Sequence, residues 1–95
     1  MEGRAFGVFW EVVERHRARI AELEGELKSR DRAYTEAWFR VMAMGGEGAT
    51  ADDKAEASAE LVSANAALAP AERELEKAKR RLPLYEQALR QFTPT

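Results

Sequence analysis

Counting in sevens from Phe6 gives Phe6, Val13, Ile20, Leu27, Tyr34 and Val41, and three residues after each come Phe9, His16, Leu23, Arg30, Ala37 and Met44. Ten of these twelve are apolar or aromatic. A seam held for almost six heptads constrains the fold strongly. It requires a long helix whose apolar stripe packs lengthwise on another helix. The second half of the chain carries its own run. Leucines stand at 61, 68, 75, 82 and 89, followed at three residues by Ala64, Ala71, Ala78, Tyr85 and Phe92. This narrower Leu/Ala seam lets a partner helix approach closely.

Local chemistry agrees with two helices. Glu precedes Arg or Lys by four at 11/15, 24/28, 26/30, 36/40, 76/80 and 86/90, and each such pair contributes about 0.2–0.5 kcal/mol on an exposed helix. Gly25 falls at an outward position and leaves the seam intact. Between the runs lies "GGEGAT", residues 45–50. Thr50 with Asp53 three residues later is a capping box opening a second helix, and Asp52 and Asp53 suit its positive N-terminus. The spacing predicts helix 5–44, a Gly-rich turn at 45–50 and a helix at 51–92. Pro70 and Pro83 fall inside the second helix, and an interior proline kinks or breaks a helix. Because the leucine phase runs past both without a slip, and both lie off the seam, a bent continuous helix is expected.

The expected fold is all-α, a single domain of residues 1–95: an antiparallel two-helix coiled-coil hairpin about 58 Å long at ~1.5 Å per residue. Folding the chain about Ala49 pairs Phe9 with Leu89, Val13 with Tyr85, Ile20 with Ala78, Leu23 with Leu75, Leu27 with Ala71 and Ala37 with Leu61. Large side chains mostly meet small ones, as a packed seam needs.

"GEGATA", residues 46–51, also fits the letters of a dinucleotide-binding fingerprint. That motif follows a strand inside a βαβ unit. Here a helix precedes it, so the glycines are read as a turn that supplies positive φ. Other chemistry is equally absent. The chain has no cysteine and one histidine. His16 faces Leu82 at a seam position with no second ligand, and Arg30 occupies a similar position with its stem packed and its head reaching outward. Glu22/Glu26, Glu56/Glu60 and Glu72/Glu76 lie on solvated helix faces without a nucleophile or a pocket. No catalytic, cofactor or metal site is expected. No segment approaches the roughly 20 apolar residues of a membrane span, and no signal peptide is evident, so the expectation is a cytoplasmic protein.

What the pattern leaves over points to partners. Helix one carries Val8, Trp10 and Val12 near one end and Trp38, Phe39 and Met42 near the other, more apolar surface than a two-helix seam covers. Trp10, Trp38, Phe39 and Met42 are therefore assigned to a partner interface, most simply a homodimer forming a four-helix bundle. Arg15, Arg17 and Arg19 beside Lys77, Lys79, Arg80 and Arg81 form a belt of seven positive charges suited to docking on a protein of opposite charge. Flanking Glu residues, the lack of base-stacking aromatics and a net charge of −2 argue against nucleic acid. The turn end is acidic, with Glu47, Asp52 and Asp53.

Two family layouts are similar. "AWFRVMAMGGEG" sets Trp38 close before the turn, which resembles the W-x-G type VII secretion substrates. The Gly two residues after that Trp is replaced by Arg40, and Tyr85 is followed four residues later by Leu89 rather than an acid. The acidic turn resembles the hairpin tip of Gre-type transcription factors, which insert it into a polymerase channel, although that family's tip motif is missing. These resemblances imply, respectively, a secreted hairpin and a regulator that enters a channel or active site. The residues themselves support first a non-enzymatic interaction module: an assembly subunit, adaptor or small inhibitor.

Overall fold

The computed structural model describes residues 2–92, with side chains from Arg4 onward. Two helices, α1 (Glu2–Ala43) and α2 (Ala51–Gln91), account for nearly all of it, and they pack against each other as a helical hairpin. α2 passes through Pro70 and Pro83 without interruption, so neither proline ends it.

The packing forms two compact units, each taking a stretch of both helices: Met1–Glu24 with Arg73–Thr95, and Gly25–Glu72. In the first unit the buried residues are Val13, Ile20 and Leu23 on α1, and Leu75 and Ala78 on α2. All are heptad positions. Val13 and Leu23 are almost fully enclosed, at 2% and 3% exposure. Phe9 meets Phe92, with ring centroids 4.9 Å apart and planes tilted by 57°. That is one turn beyond its expected partner Leu89, which lines the same groove. His16 sits between two turns of α2. Its Nε2–H donates to the Ala78 carbonyl at 2.7 Å, and its ring meets Tyr85 edge-on at 4.9 Å. Leu82, its expected neighbour, lies between those two residues in sequence.

In the second unit the seam is narrower. Ala37, Ala57 and Ala71 are buried, with Leu27, Tyr34, Val41, Leu61 and Leu68 half-buried beside them. Arg30, the other polar residue in the α1 seam, donates from Nη1 to the Ala67 carbonyl at 3.1 Å. Both breaks in the heptad pattern thus resolve alike: each polar head bonds a backbone carbonyl of α2. Burying part of a polar side chain is tolerable when it gains such a partner, and no buried side-chain polar atom among the described residues is left without one.

The turn explains its own composition. The amides of Gly45 and Gly46 bond the carbonyls of Met42 and Ala43 at 3.2 and 3.3 Å, which tightens the end of α1. Gly48 then takes φ +94°, a left-handed conformation that a side chain would strain. Next comes the capping box. The Asp53 amide donates to Thr50 Oγ1 at 3.1 Å, and the Thr50 amide donates to Asp53 Oδ2 at 3.0 Å. The Thr50 backbone bond, followed by the Thr50 side chain, holds the Asp53 carboxyl below its ordinary pKa. A carboxyl depressed by folding contributes stability above its unfolded pKa, and this is lost as pH falls through the folded value. We expect Thr50→Ala to destabilise the fold by about 1 kcal/mol and Asp53→Asn to flatten the acid side of the pH–stability curve. Thermal melts followed by circular dichroism across pH would check both. An unchanged melt for Thr50→Ala would show that the cap contributes nothing.

Candidate interaction surfaces

The surfaces left by the seam are best described unit by unit. In the first unit α1 turns Val8, Phe9, Trp10 and Val12 outward, and α2 turns out Leu84, Tyr85 and Phe92. An open groove of about 150 Å³ runs between Phe9, Val12, Tyr85, Leu89 and Phe92 over Val13 and Ala88. Its lining is almost wholly apolar. Trp10 is 45% exposed, yet its ring is not loose: the Arg17 guanidinium lies 5.8 Å from the ring centroid. Arg17 is itself held by Glu86 of α2 at 2.8 Å and by Glu14 of its own helix. The hydrogen bond that Arg17 donates to Glu86, and then the one it donates to Glu14, keeps its pKa above the usual value.

The predicted belt is present in this unit, with two kinds of member. Arg17, Arg19 and Lys79 are engaged. Arg19 contacts Glu22 at 3.0 Å and Glu74 at 3.5 Å, and Lys79 lies 3.8 Å from Glu24. Arg15, Lys77, Arg80 and Arg81 make no ion pair with the described residues. Arg15, His16 and Arg19 line a hollow of about 500 Å³ together with Val12 and Tyr85. On another side, His16, Arg19, Lys77 and Arg81 line a cleft of about 150 Å³. Glu22 completes the lining of the first hollow and Glu74 that of the second, so basic side chains predominate in both beside a few apolar ones. Over its whole extent this unit has ten basic and eight acidic residues.

The second unit carries the opposite balance, five basic and nine acidic residues. Its apolar surface comprises Trp38, Phe39 and Met42 of α1 and Val62 of α2. Phe39 and Met42 are 71% exposed, while Trp38 is 45% exposed. Trp38 is pinned like Trp10, here by its own Nε1–H donating to the Tyr34 hydroxyl at 2.7 Å. Of the acidic residues assigned to the turn end, Asp53 is committed to the cap, while Glu47 and Asp52 make no ion pair with the described residues. Asp53, Glu56 and Glu60 line a shallow hollow with Arg40 and Met44, and Arg40 bonds Glu60 at 3.1 Å. No group of three or more His, Cys, Asp or Glu among the described residues is arranged to hold a metal. No described helix is long and apolar enough to cross a membrane.

No family model matches this chain, and no curated protein or solved structure does either. The resemblances to the two hairpin families therefore rest on layout alone. Three residues assigned by the heptad to the seam emerge instead as surface. Phe9, Tyr85 and Phe92 are 37%, 38% and 56% exposed, because bulky rings meeting at one end of the seam spread wider than two helices can enclose. The signal was available in sequence: the fold-back pairing sets bulky residues opposite one another in the two successive layers Phe9–Leu89 and Val13–Tyr85.

Proposed function

We propose that this chain is a non-enzymatic helical-hairpin interaction module. It self-associates into a homodimeric four-helix bundle through Trp10, Trp38, Phe39 and Met42, and docks on a larger protein through its basic belt. One observation carries the reading: large apolar side chains stand exposed in both units, and the two tryptophans among them are held in place by Arg17 and Tyr34. Exposed aromatic clusters mark interfaces, and aromatic anchors dominate their energetics. Anchors already fixed in position lose less freedom on binding. Arg15, Lys77, Arg80 and Arg81, without an ion pair among the described residues, suit an acidic protein surface as the second partner. A cysteine-free chain without an apolar span fits a cytoplasmic adaptor, assembly subunit or inhibitor.

The test is the Trp10→Ala/Trp38→Ala double variant, measured by light scattering over a concentration series and by capture of partners from lysate. Loss of two anchors is expected to weaken association by about 2 kcal/mol or more, roughly thirtyfold. Both residues are half-exposed, so the melting curve should move little. Unchanged mass and unchanged capture would overturn this assignment of the interface.

A further inference from the structure

Trp10 and Trp38 occupy the same heptad position of α1, four heptads apart, and between them at that position stand Arg17, Glu24 and Asp31. This set is nearly its own mirror image. Read from one end it runs aromatic, cation, Glu, anion, aromatic, and reversal exchanges only the two charges. We infer that the second copy docks antiparallel, α1 against α1, so that Trp10 of each copy packs against Trp38 of the other and Arg17 faces Asp31.

Three features of the molecule lead to this orientation. The first is the reversed sequence itself. Positions whose numbers sum to 48 face each other in an antiparallel pair, and Trp10 with Trp38 and Arg17 with Asp31 both satisfy that sum, with Glu24 opposite its own copy. Each Glu24 is already met by Lys79 at 3.8 Å, which offsets the meeting of like charges at the centre.

The second is charge. An antiparallel pair sets the unit with ten basic and eight acidic residues against the unit with five basic and nine acidic residues, twice over. A parallel pair would set each unit against its own kind, acidic on acidic. Complementary potentials favour the first arrangement and like charges oppose the second. The third is symmetry. The antiparallel pair is a closed two-fold contact that uses one surface of each copy, the commonest form of homodimer.

This orientation rests on self-association, and the test separates the two. The chain has no cysteine, so single cysteines report proximity without background. Arg17→Cys and Asp31→Cys are prepared separately. Each is oxidised alone, and then as an equimolar mixture. The expected result is a disulfide-linked dimer in the mixture and little in either variant alone. Disulfide dimers of each variant with itself, and no mixed disulfide between the two variants in the mixture, would overturn the antiparallel orientation while leaving self-association standing. A dimer by light scattering that gives no cross-link in any arm would show that this flank of α1 is not the interface. A monomeric mass for the unsubstituted chain at every concentration would remove self-association itself. Salt supplies an independent readout. Antiparallel docking should weaken as ionic strength rises and screens the opposed units, and a pairing of like units should strengthen.

Discussion

Leu23→Ala should lower the stability of the fold by about 2–5 kcal/mol, which for a domain of this size is a fall in melting temperature of roughly 10 °C or more. Leu23 is 3% exposed, at the α1 layer expected to face Leu75. Removing its branched end takes apolar surface out of contact and leaves a void that two helices, with few neighbours to rearrange, close only in part. The loss is large against the marginal stability of small domains, because a hairpin buries only one narrow stripe from each helix. Phe39→Ala is the matched control. It removes a larger side chain, but one that is 71% exposed, so its melt should shift by no more than about 0.5 kcal/mol, as for other surface substitutions. Circular dichroism melts of the two variants, taken at a concentration where the chain is monomeric, would decide the matter. Equal shifts would mean that the Leu23 layer is not the core.

That contrast also marks what was legible in the sequence. Leu23 and Phe39 are both large and apolar, and only heptad phase separates them. Phase is a local property, repeated every two turns, so it predicted the seam well. Val13, Ile20, Leu23 and Ala37 are buried on α1, all from that pattern. The capping box was equally plain, since its two hydrogen bonds need only Thr50, Asp53 and the turn between them. What escaped depends on another segment of chain. Arg30 reads as a side chain whose head reaches solvent, and it instead bonds the Ala67 carbonyl. No spacing rule announces which carbonyl of a facing helix lies within reach. Phe9 and Phe92 read as seam and emerge partly exposed because layer width depends on both partners at once. The interface is the hardest to read. Heptad phase separates Ala37, 2% exposed, from Trp38 one residue later, at 45%, but no spacing rule names the surface that an exposed Trp would meet.

Pro70→Ala should stabilise the protein, by about 2 kcal/mol. A proline inside a helix lacks the amide for the bond to the carbonyl four residues back, and its ring crowds that carbonyl. Relative to alanine this costs about 3 kcal/mol. Against it stands the stiffer unfolded chain that proline gives, worth about 0.4–1 kcal/mol. α2 nevertheless runs from Ala51 to Gln91 through both prolines, so packing along the seam outweighs the local penalty. Two features limit that penalty. Pro70 and Pro83 are exposed, off the buried stripe, and so are Ala66 and Lys79, whose carbonyls lose their partners; these carbonyls can turn to water. Arg30 also anchors the neighbouring Ala67 carbonyl from across the seam. Pro83→Ala should give a smaller gain, since it lies in the last turns of α2, where helix ends fray and contribute less. The two prolines are thirteen residues apart, far enough for their effects to add. Denaturant titration of both single variants and the double would measure the gains. A loss of stability in Pro70→Ala would show the opposite physics: the seam of the second unit would require the bend that proline imposes, and the leucine phase would continue past Pro70 only because the helix turns there.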